Sequence, residues 1–349
     1  MIPGSAGSPA PPDRRPTADT SAEPPVRAYD TGLFDLDGVV YVGPDPVPTA
    51  VDALRRVREA GMRVAFVTNN ASRTPAAVAE HLTRLGVPAA ARDVVTSAQA
   101  CARMIAERVP AGSAVLVCGG LGLRHALREH GLRPVSTAET GPAAVAQGYF
   151  HGIDYGLLAE GAVAVRRGAL FVAANGDTTL PSPRGALPGN GSLLRVIITA
   201  TGCEPLVAGK PEPPLHREAM LRTGARRPLV VGDRLDTDIE GAVRGGVDSL
   251  LVLTGVTHPA DVVTAPPRRR PSLLAADLGG LLVPHPRVDG DDGVGKCAGW
   301  RAVANGGRLE LSGTGDRHDA LRALCAASWT SPSPISRDTA EKAITQAGF

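Results

Sequence analysis

Several things are scarce in this 349-residue sequence, and each scarcity closes off a class of function. Net charge is one: 37 Lys and Arg against 35 Asp and Glu leave +2, which supplies no long-range field with which to hold nucleic acid. No basic run exceeds the triplet Arg268, Arg269, Arg270, which follows Pro266-Pro267 and reads as a solvated linker. Cysteine is also sparse. Cys101, Cys118, Cys203, Cys297 and Cys325 are an odd number without CxxC spacing, so neither a disulfide framework nor a zinc site is expected and a reducing, cytoplasmic setting fits best. Long apolar runs are missing too: nothing approaches the ~20 residues of a membrane span. The first 27 residues, rich in Pro, Ala, Ser and Asp, lack the apolar centre of a secretory signal, and residues 1–27 read as a disordered tail. The expected partner is therefore a small molecule rather than nucleic acid or a membrane, with homo-oligomerisation left open.

What is present is a chain with 43% hydrophobic residues, long enough to bury a sizeable core and to make two domains with an appendage. From about Tyr29, short apolar runs alternate with helical patterns: AYDTGLFD, TAVDALRRVREAG, MRVAFVT, TPAAVAEHLTRLG. This is the rhythm of a parallel sheet covered by helices. Val51, Leu54 and Val57 have helical spacing, with Gly61 placed as a terminator. The rhythm returns in RRPLVVGDRLDTDIEGAVRGGVDSLLVLTG, where Leu229–Val231 reads as a strand and Asp236–Gly245 as a helix. Between the two segments about 110 residues carry signals of their own, so the middle reads as an inserted domain. Beyond Val283 a polar, Gly-rich connector leads to a hairpin around Asn305-Gly306-Gly307 and one amphipathic helix, HDALRALCAASW. Such a ββα unit is too small to carry a core alone.

Functional groups of a parallel sheet gather where strands end. In LFDLDGVVYVG, Asp35 and Asp37 stand at such an end. Two carboxylates there repel each other unless a hard cation such as Mg2+, which takes oxygen ligands, lies between them. A turn made by Asp37-Gly38 is the bland alternative. The second strand ends in FVTNNASRT, so Thr68, Asn69 and Asn70 follow, with a hydroxyl and backbone amides suited to a phosphoryl group or, equally, to capping the next helix. In VAGKPEPP, Lys210 is kept out of helix by Pro211. In VVGDRLDTDIEGA, Asp233 follows a buried strand, while Asp236 and Asp238 fall in the first turn of a helix, where they also complement its dipole.

Taken jointly, DxDG, TNN, GKP and GDxxxxD in this order resemble a haloacid-dehalogenase-superfamily phosphatase, of the branch whose large cap is inserted between the TNN and GKP motifs. The phrases LDGVVYVG, FVAANGD and PGNGSLLRVIITATG extend the resemblance over roughly residues 29 to 283. It implies an α/β fold, with a Rossmannoid parallel-sheet core at 28–96 and 206–284 and an α/β cap at 97–205; the sequence pattern adds the small α+β appendage at 285–349. It implies Asp35 as nucleophile and Asp37 as general acid and base. Mg2+ would be held by Asp35, the Asp37 carbonyl and Asp233, with Asp238 in support. Thr68, Asn69, Asn70 and Lys210 would bind phosphate, and Asn175 and Asp177 would face the substrate. Relatives of this kind lean the expectation toward glycerol 3-phosphate or phosphoglycolate; pyridoxal phosphate, a nucleotide or a sugar phosphate is the alternative.

Three other readings compete with this one. CGGLGLRHAL suggests a dinucleotide loop, but the last glycine of GxGxxG is replaced by His125. A non-enzymatic phospho-acceptor also clusters acids, Thr and Lys, yet has no need of Asp37. The C-terminal unit faintly resembles part of an acetyltransferase-like fold, with packing or oligomerisation as its expected role. His151, Asp154 and Tyr155 are further candidates for meeting a leaving group, or plain cap surface. The place where cap relatives carry an aspartate is taken here by Phe150.

Overall fold

The computed structural model describes residues 20–180, 182 and 184–349. Six parallel strands form the first sheet, in the order Leu273–Ala275, Asp248–Val252, Pro228–Gly232, Thr31–Phe34, Arg63–Thr68, Val94–Thr96. Thr31–Phe34 lies at its centre with all four residues buried, as expected of a strand covered by helices on both faces. The helix Ala50–Glu59 buries Ala50, Ala53, Leu54 and Val57, and Gly61 beyond it takes φ 93°. The helix Pro75–Arg84 opens on Thr74, whose side chain accepts from Ala77 N–H at 3.3 Å.

A second sheet of five parallel strands is built by the middle of the chain: Leu206–Val207, Leu170–Ala173, Ala144–Gln147, Ala114–Cys118, Arg133–Val135. Leu206–Val207 pair with Leu170–Ala173, so these two residues, expected in the core segment 206–284, side with the inserted sheet. The two sheets are not separate oil drops. Leu33, Val67 and Val230 of the first share one apolar cluster with Val115, Ala146 and Val172 of the second, joined through Cys101, Ile105, Leu123 and Leu215. The glycines of the CGGLG stretch serve this junction. Gly122 N–H donates to Ser72 O at 3.2 Å, and a Cβ on Gly122 would lie 2.4 Å from Arg73 O. They are needed for close approach of two backbones rather than for a dinucleotide.

Two expectations are corrected. Residues 1–19 of the expected tail lie outside the described residues, but its end is ordered: Pro25–Ala28 is a helical turn with Val26 buried, and Thr20 O accepts from His285 N–H at 2.9 Å. The C-terminal unit is larger than ββα. It has four antiparallel strands, Val288–Asp291, Val294–Cys297, Trp300–Asn305 and Arg308–Gly313, and two helices, Arg317–Thr330 and Arg337–Gln346. The connector conceals a hairpin whose Asp292 and Gly293 take φ 39° and 75°, a turn in which both central residues are left-handed. The unit packs against the first sheet: Cys297, Leu321 and Leu324 join Ile239, Leu251, Val262 and Leu274 in one cluster. Arg322 donates to Leu274 O at 2.5 Å, which covers the open edge of the strand Leu273–Ala275.

Candidate active site

Three neighbouring strands of the first sheet end side by side, and each delivers its following residues to one rim. After Thr31–Phe34 comes Asp35, whose N–H donates to Val231 O at 2.8 Å. Gly38 then turns the chain with φ 83°, and a Cβ there would lie 2.5 Å from Asp233 Oδ2. The glycine of DxDG thus both reverses the backbone and leaves room for a third carboxylate. Asp233 follows Pro228–Gly232 and is 1% exposed. Asp238 sits in a π-helical turn, Leu235–Ile239, at the start of the expected helix, and is likewise buried.

Lys210 enters this group from the chain that returns out of the second sheet. Buried to 4% exposure, its Nζ donates to Asp35 Oδ1 at 2.5 Å, Asp238 Oδ1 at 2.7 Å and Val67 O at 3.3 Å. Three acceptors match its three protons. Burial disfavours its charge, but the Asp238 and Asp35 carboxylates outweigh that and hold the ammonium above its ordinary range. Asp35 is pushed up to about 8 by burial, with the charges of Asp238 and Asp233 adding and Lys210 opposing. Asp233 rises to about 6, again by burial first and Asp238 second. Below the lysine lies His216, 1% exposed, lowered to about 4 by burial and by Lys210.

The donor set suits a hard divalent cation. One carboxylate oxygen from each of Asp35, Asp233 and Asp238 lies within 4.8 Å of the others. Asp233 Oδ2 accepts Val256 N–H at 2.9 Å, whereas its buried Oδ1 has no hydrogen-bond partner. Both Asp238 oxygens are engaged, Oδ1 by Lys210 and Oδ2 by Arg234 N–H at 3.2 Å. Asp233 therefore presents an open oxygen, and Asp238 braces the lysine.

Sequence reasoning missed the loop that clamps this arrangement. Thr254 Oγ1 donates to Gly38 O at 2.6 Å and Thr257 Oγ1 to Asp233 O at 2.5 Å, and a Cβ on Gly255 would lie 1.9 Å from Asp233 Oδ2. The run LTGVT after a buried strand was the available signal. Also missed were the neighbours of Asp37. Its side chain is exposed at the mouth, with Tyr41, Arg73 and His81 nearby; Tyr41 and His81 meet edge-on at 5.3 Å. The surrounding protein raises the Asp37 carboxyl, chiefly by desolvation, against the pull of Lys210, Arg73 and His81.

The residues expected to grip phosphate separate into two groups. Thr68 is buried at the rim, its Oγ1 accepting from Asn70 N–H at 3.1 Å. Asn70 is turned outward, its Oδ1 accepting from Ser72 N–H and Oγ, both at 2.8 Å, so its amide shapes the turn. The Asn69 amide is spent inside the fold: Oδ1 accepts Lys210 N–H at 2.8 Å, and Nδ2 donates to Lys210 O at 3.1 Å and to the Asp177 carboxylate at 3.1 and 3.2 Å. Asn175, 4% exposed, donates to Asn69 O at 2.7 Å. Farther out, Asp154 caps the helix Tyr155–Arg166 through Leu157 N–H at 2.8 Å. Tyr155 is 84% exposed, and the His151 ring rests on Phe150 at 4.6 Å.

A parallel sheet whose central rim gathers carboxylates, a buried lysine and a hydroxyl defines a hydrolase built for phosphoryl chemistry, and comparison with known proteins gives the family. The profile of the haloacid dehalogenase-like hydrolases matches residues 32–133 and that of the HAD-hydrolase-like group residues 207–281. The chain belongs to the haloacid dehalogenase-like hydrolases. It is 45% identical over 310 residues to D-glycerol 3-phosphate phosphatase of Mycobacterium tuberculosis, covering 86% of each chain. It is 39% identical over 246 residues to the 5'-nucleotidase YutF of Bacillus subtilis, covering 69% of this chain and 94% of that one. The crystal structure of the M. tuberculosis glycerol phosphate phosphatase in complex with magnesium superposes with a TM-score of 0.83 at 42% identity, covering 93% of this chain and 98% of that one. Residues 297–349 match the profile of a GCN5-related N-acetyltransferase like domain.

Proposed function

We propose that the protein is a Mg2+-dependent phosphatase of small phosphomonoesters, with glycerol 3-phosphate as its first substrate. The observation that carries this is the convergence of Asp35, Asp233 and Asp238 within 4.8 Å around one lysine, with one buried oxygen of Asp233 unpartnered. Relatives in sequence include the glycerol 3-phosphate phosphatase, over 86% of this chain, and the nucleotidase, over 69% of it.

Asp35, Asp233 and the Asp37 carbonyl would hold Mg2+, which when bound offsets the negative charge of the phosphoryl group. The chain's own groups do the rest. An Asp35 carboxylate oxygen bonds to phosphorus as the phosphorus–alkoxide bond breaks, and the Asp37 carboxyl gives its proton to the leaving oxygen. The raised Asp37 pKa favours the protonated form that this step needs. Asp37, now ionised, takes a proton from water; the water oxygen bonds to phosphorus and the Asp35–phosphorus bond breaks, restoring both carboxyls. Lys210 opposes the repulsion between Asp35 and phosphate, worth about 4 kcal/mol for a unit pair ~4 Å apart at an effective dielectric of ~20. The Thr68 hydroxyl donates to a phosphoryl oxygen.

The test is phosphate release from glycerol 3-phosphate by the purified protein with Mg2+ and with EDTA. Release that is strong with Mg2+ and lost with EDTA is expected; no difference between the two counts against the reading. A 5'-nucleotide and a sugar phosphate in the same assay rank the alternatives, and a kcat/KM for either above that for glycerol 3-phosphate would reassign the substrate.

A further inference from the structure

We infer that Asp177, carried by the inserted domain, is a positioning residue that sets the catalytic lysine through Asn69, rather than a residue that touches substrate. The chemistry of the amide carries the argument. An Asn side chain has an acceptor end and a donor end, and an ionised carboxylate is acceptor-only. With the Asp177 carboxylate 3.1 and 3.2 Å from Asn69 Nδ2, the opposite orientation would set Oδ1 against that carboxylate and the NH2 against Lys210 N–H. Asp177 thus fixes which way round the amide lies.

The chosen orientation places Oδ1 on Lys210 N–H at 2.8 Å and Nδ2 on Lys210 O at 3.1 Å. Both peptide groups flanking the Lys210 α-carbon are pinned by one side chain, and from there Nζ reaches Asp35 and Asp238. Asn69 is itself anchored, since its carbonyl accepts from Ser97 Oγ at 2.6 Å and from Asn175 Nδ2 at 2.7 Å. Asn190 Nδ2 holds Asn175 O at 2.7 Å and is buried. The network leaves no space for a side chain at residue 209: a Cβ on Gly209 would meet Asn69 Oδ1 at 2.6 Å and Ala174 O at 2.7 Å. A small displacement of the inserted domain would therefore be felt at the ammonium that faces the nucleophile.

The inference rests on the phosphatase reading, and its test separates the two. Asp177→Ala, Asp177→Asn, Asn69→Ala and the double variant Asn69→Ala/Asp177→Ala are assayed with glycerol 3-phosphate and with p-nitrophenyl phosphate. Asp177→Ala lowers kcat ~10- to 100-fold on both esters alike, the range seen when a group supporting a catalytic residue is removed. KM stays within about threefold, because the lost interaction serves the transition state. Asp177→Asn, which keeps one acceptor oxygen, recovers most of the rate, and the double variant is no slower than the worse single one. Losses that differ more than tenfold between the two esters, or that fall on KM for glycerol 3-phosphate, overturn the inference in favour of substrate contact; multiplicative losses overturn it as well. The crystal structure of the Asp177→Ala variant decides without activity: Lys210 withdrawn from Asp35 supports the inference, and Lys210 keeping both carboxylate contacts refutes it. Failure of the unmodified protein to hydrolyse either ester would sink the phosphatase reading while leaving that structural result decisive.

Discussion

Removing divalent cation with EDTA should leave a protein that loses stability as pH rises through neutrality, and the groups responsible can be named. An acid whose folded pKa is raised contributes stability that is complete below its unfolded pKa and is lost as pH rises through the folded one. Asp233, raised from 3.8 to about 6, and Asp35, raised from 3.8 to about 8, both act in this sense. His216 acts oppositely between about 4 and 6.5, where the unfolded chain binds the proton that the folded one refuses. Below pH ~6.5 the Asp233 and His216 contributions therefore largely cancel. From about 6.5 to about 8 only Asp35 remains among these three, and 1.5 pH units at 1.36 kcal/mol each give a loss of about 2 kcal/mol. That corresponds to a fall in Tm of roughly 4–8 °C at the 2–4 °C per kcal/mol of a domain of ~150–250 residues. Lys210, held above its ordinary range, loses its contribution only at higher pH. The assay is thermal unfolding at pH 6.5 and 8 in EDTA, repeated with Mg2+ and with Asp35→Asn. Mg2+ should protect more at pH 8, because carboxylates must be deprotonated to bind it. An EDTA-treated protein equally stable at both pH values, or a drop that persists in Asp35→Asn, would refute the reasoning.

Other expectations follow from the same geometry. Asp37→Asn should lose at least ~100-fold in kcat while letting phosphorylated Asp35 accumulate, seen as an 80 Da adduct by mass spectrometry; a passive phospho-acceptor would instead phosphorylate and dephosphorylate unchanged. Gly255→Ala places a Cβ 1.9 Å from Asp233 Oδ2 and should raise the Mg2+ concentration for half-maximal activity at least ~10-fold, measured by Mg2+ titration. Gly122→Ala drives a Cβ against Arg73 O and Ala71 O at 2.4 and 2.6 Å and should cost ~1–3 kcal/mol, read from denaturant melts. Arg322→Ala uncaps the carbonyl of Leu274 and should cost ~1–3 kcal/mol for an acceptor left bare; an unchanged Tm would show that water replaces the guanidinium.

How much of this was legible in the sequence depends on the range over which each feature is decided. Asp35 and Asp37 after one apolar run, Thr68 after the next and Asp233 after another could be placed on one rim because parallel strands end on one side whatever their order. The helix over Ala50–Glu59 was readable from apolar spacing alone. The hairpin at Asp292-Gly293 carried a turn signal, but its first strand is mostly exposed and the two strands, VDGD and VGKC, show little apolar alternation in sequence. Asn69 and Asn70 looked alike, being adjacent members of one motif. Folding separated them: Asn70 closes a local turn with Ser72, two residues away, whereas Asn69 finds partners at Asp177 and Lys210, 108 and 141 residues away.

By itself the sequence determined the alternation of strands and helices, the order of the motifs and the residue types that phosphoryl chemistry requires, because these follow from local periodicity and side-chain chemistry. Only the tertiary structure decided that the two sheets share one apolar core, that the C-terminal unit covers the edge of the first sheet, and that the Asn69 side chain meets Asp177 and both peptide groups of Lys210. The reason is physical: which donor meets which acceptor across 100 or more residues is settled by packing the whole chain, and no local pattern encodes it.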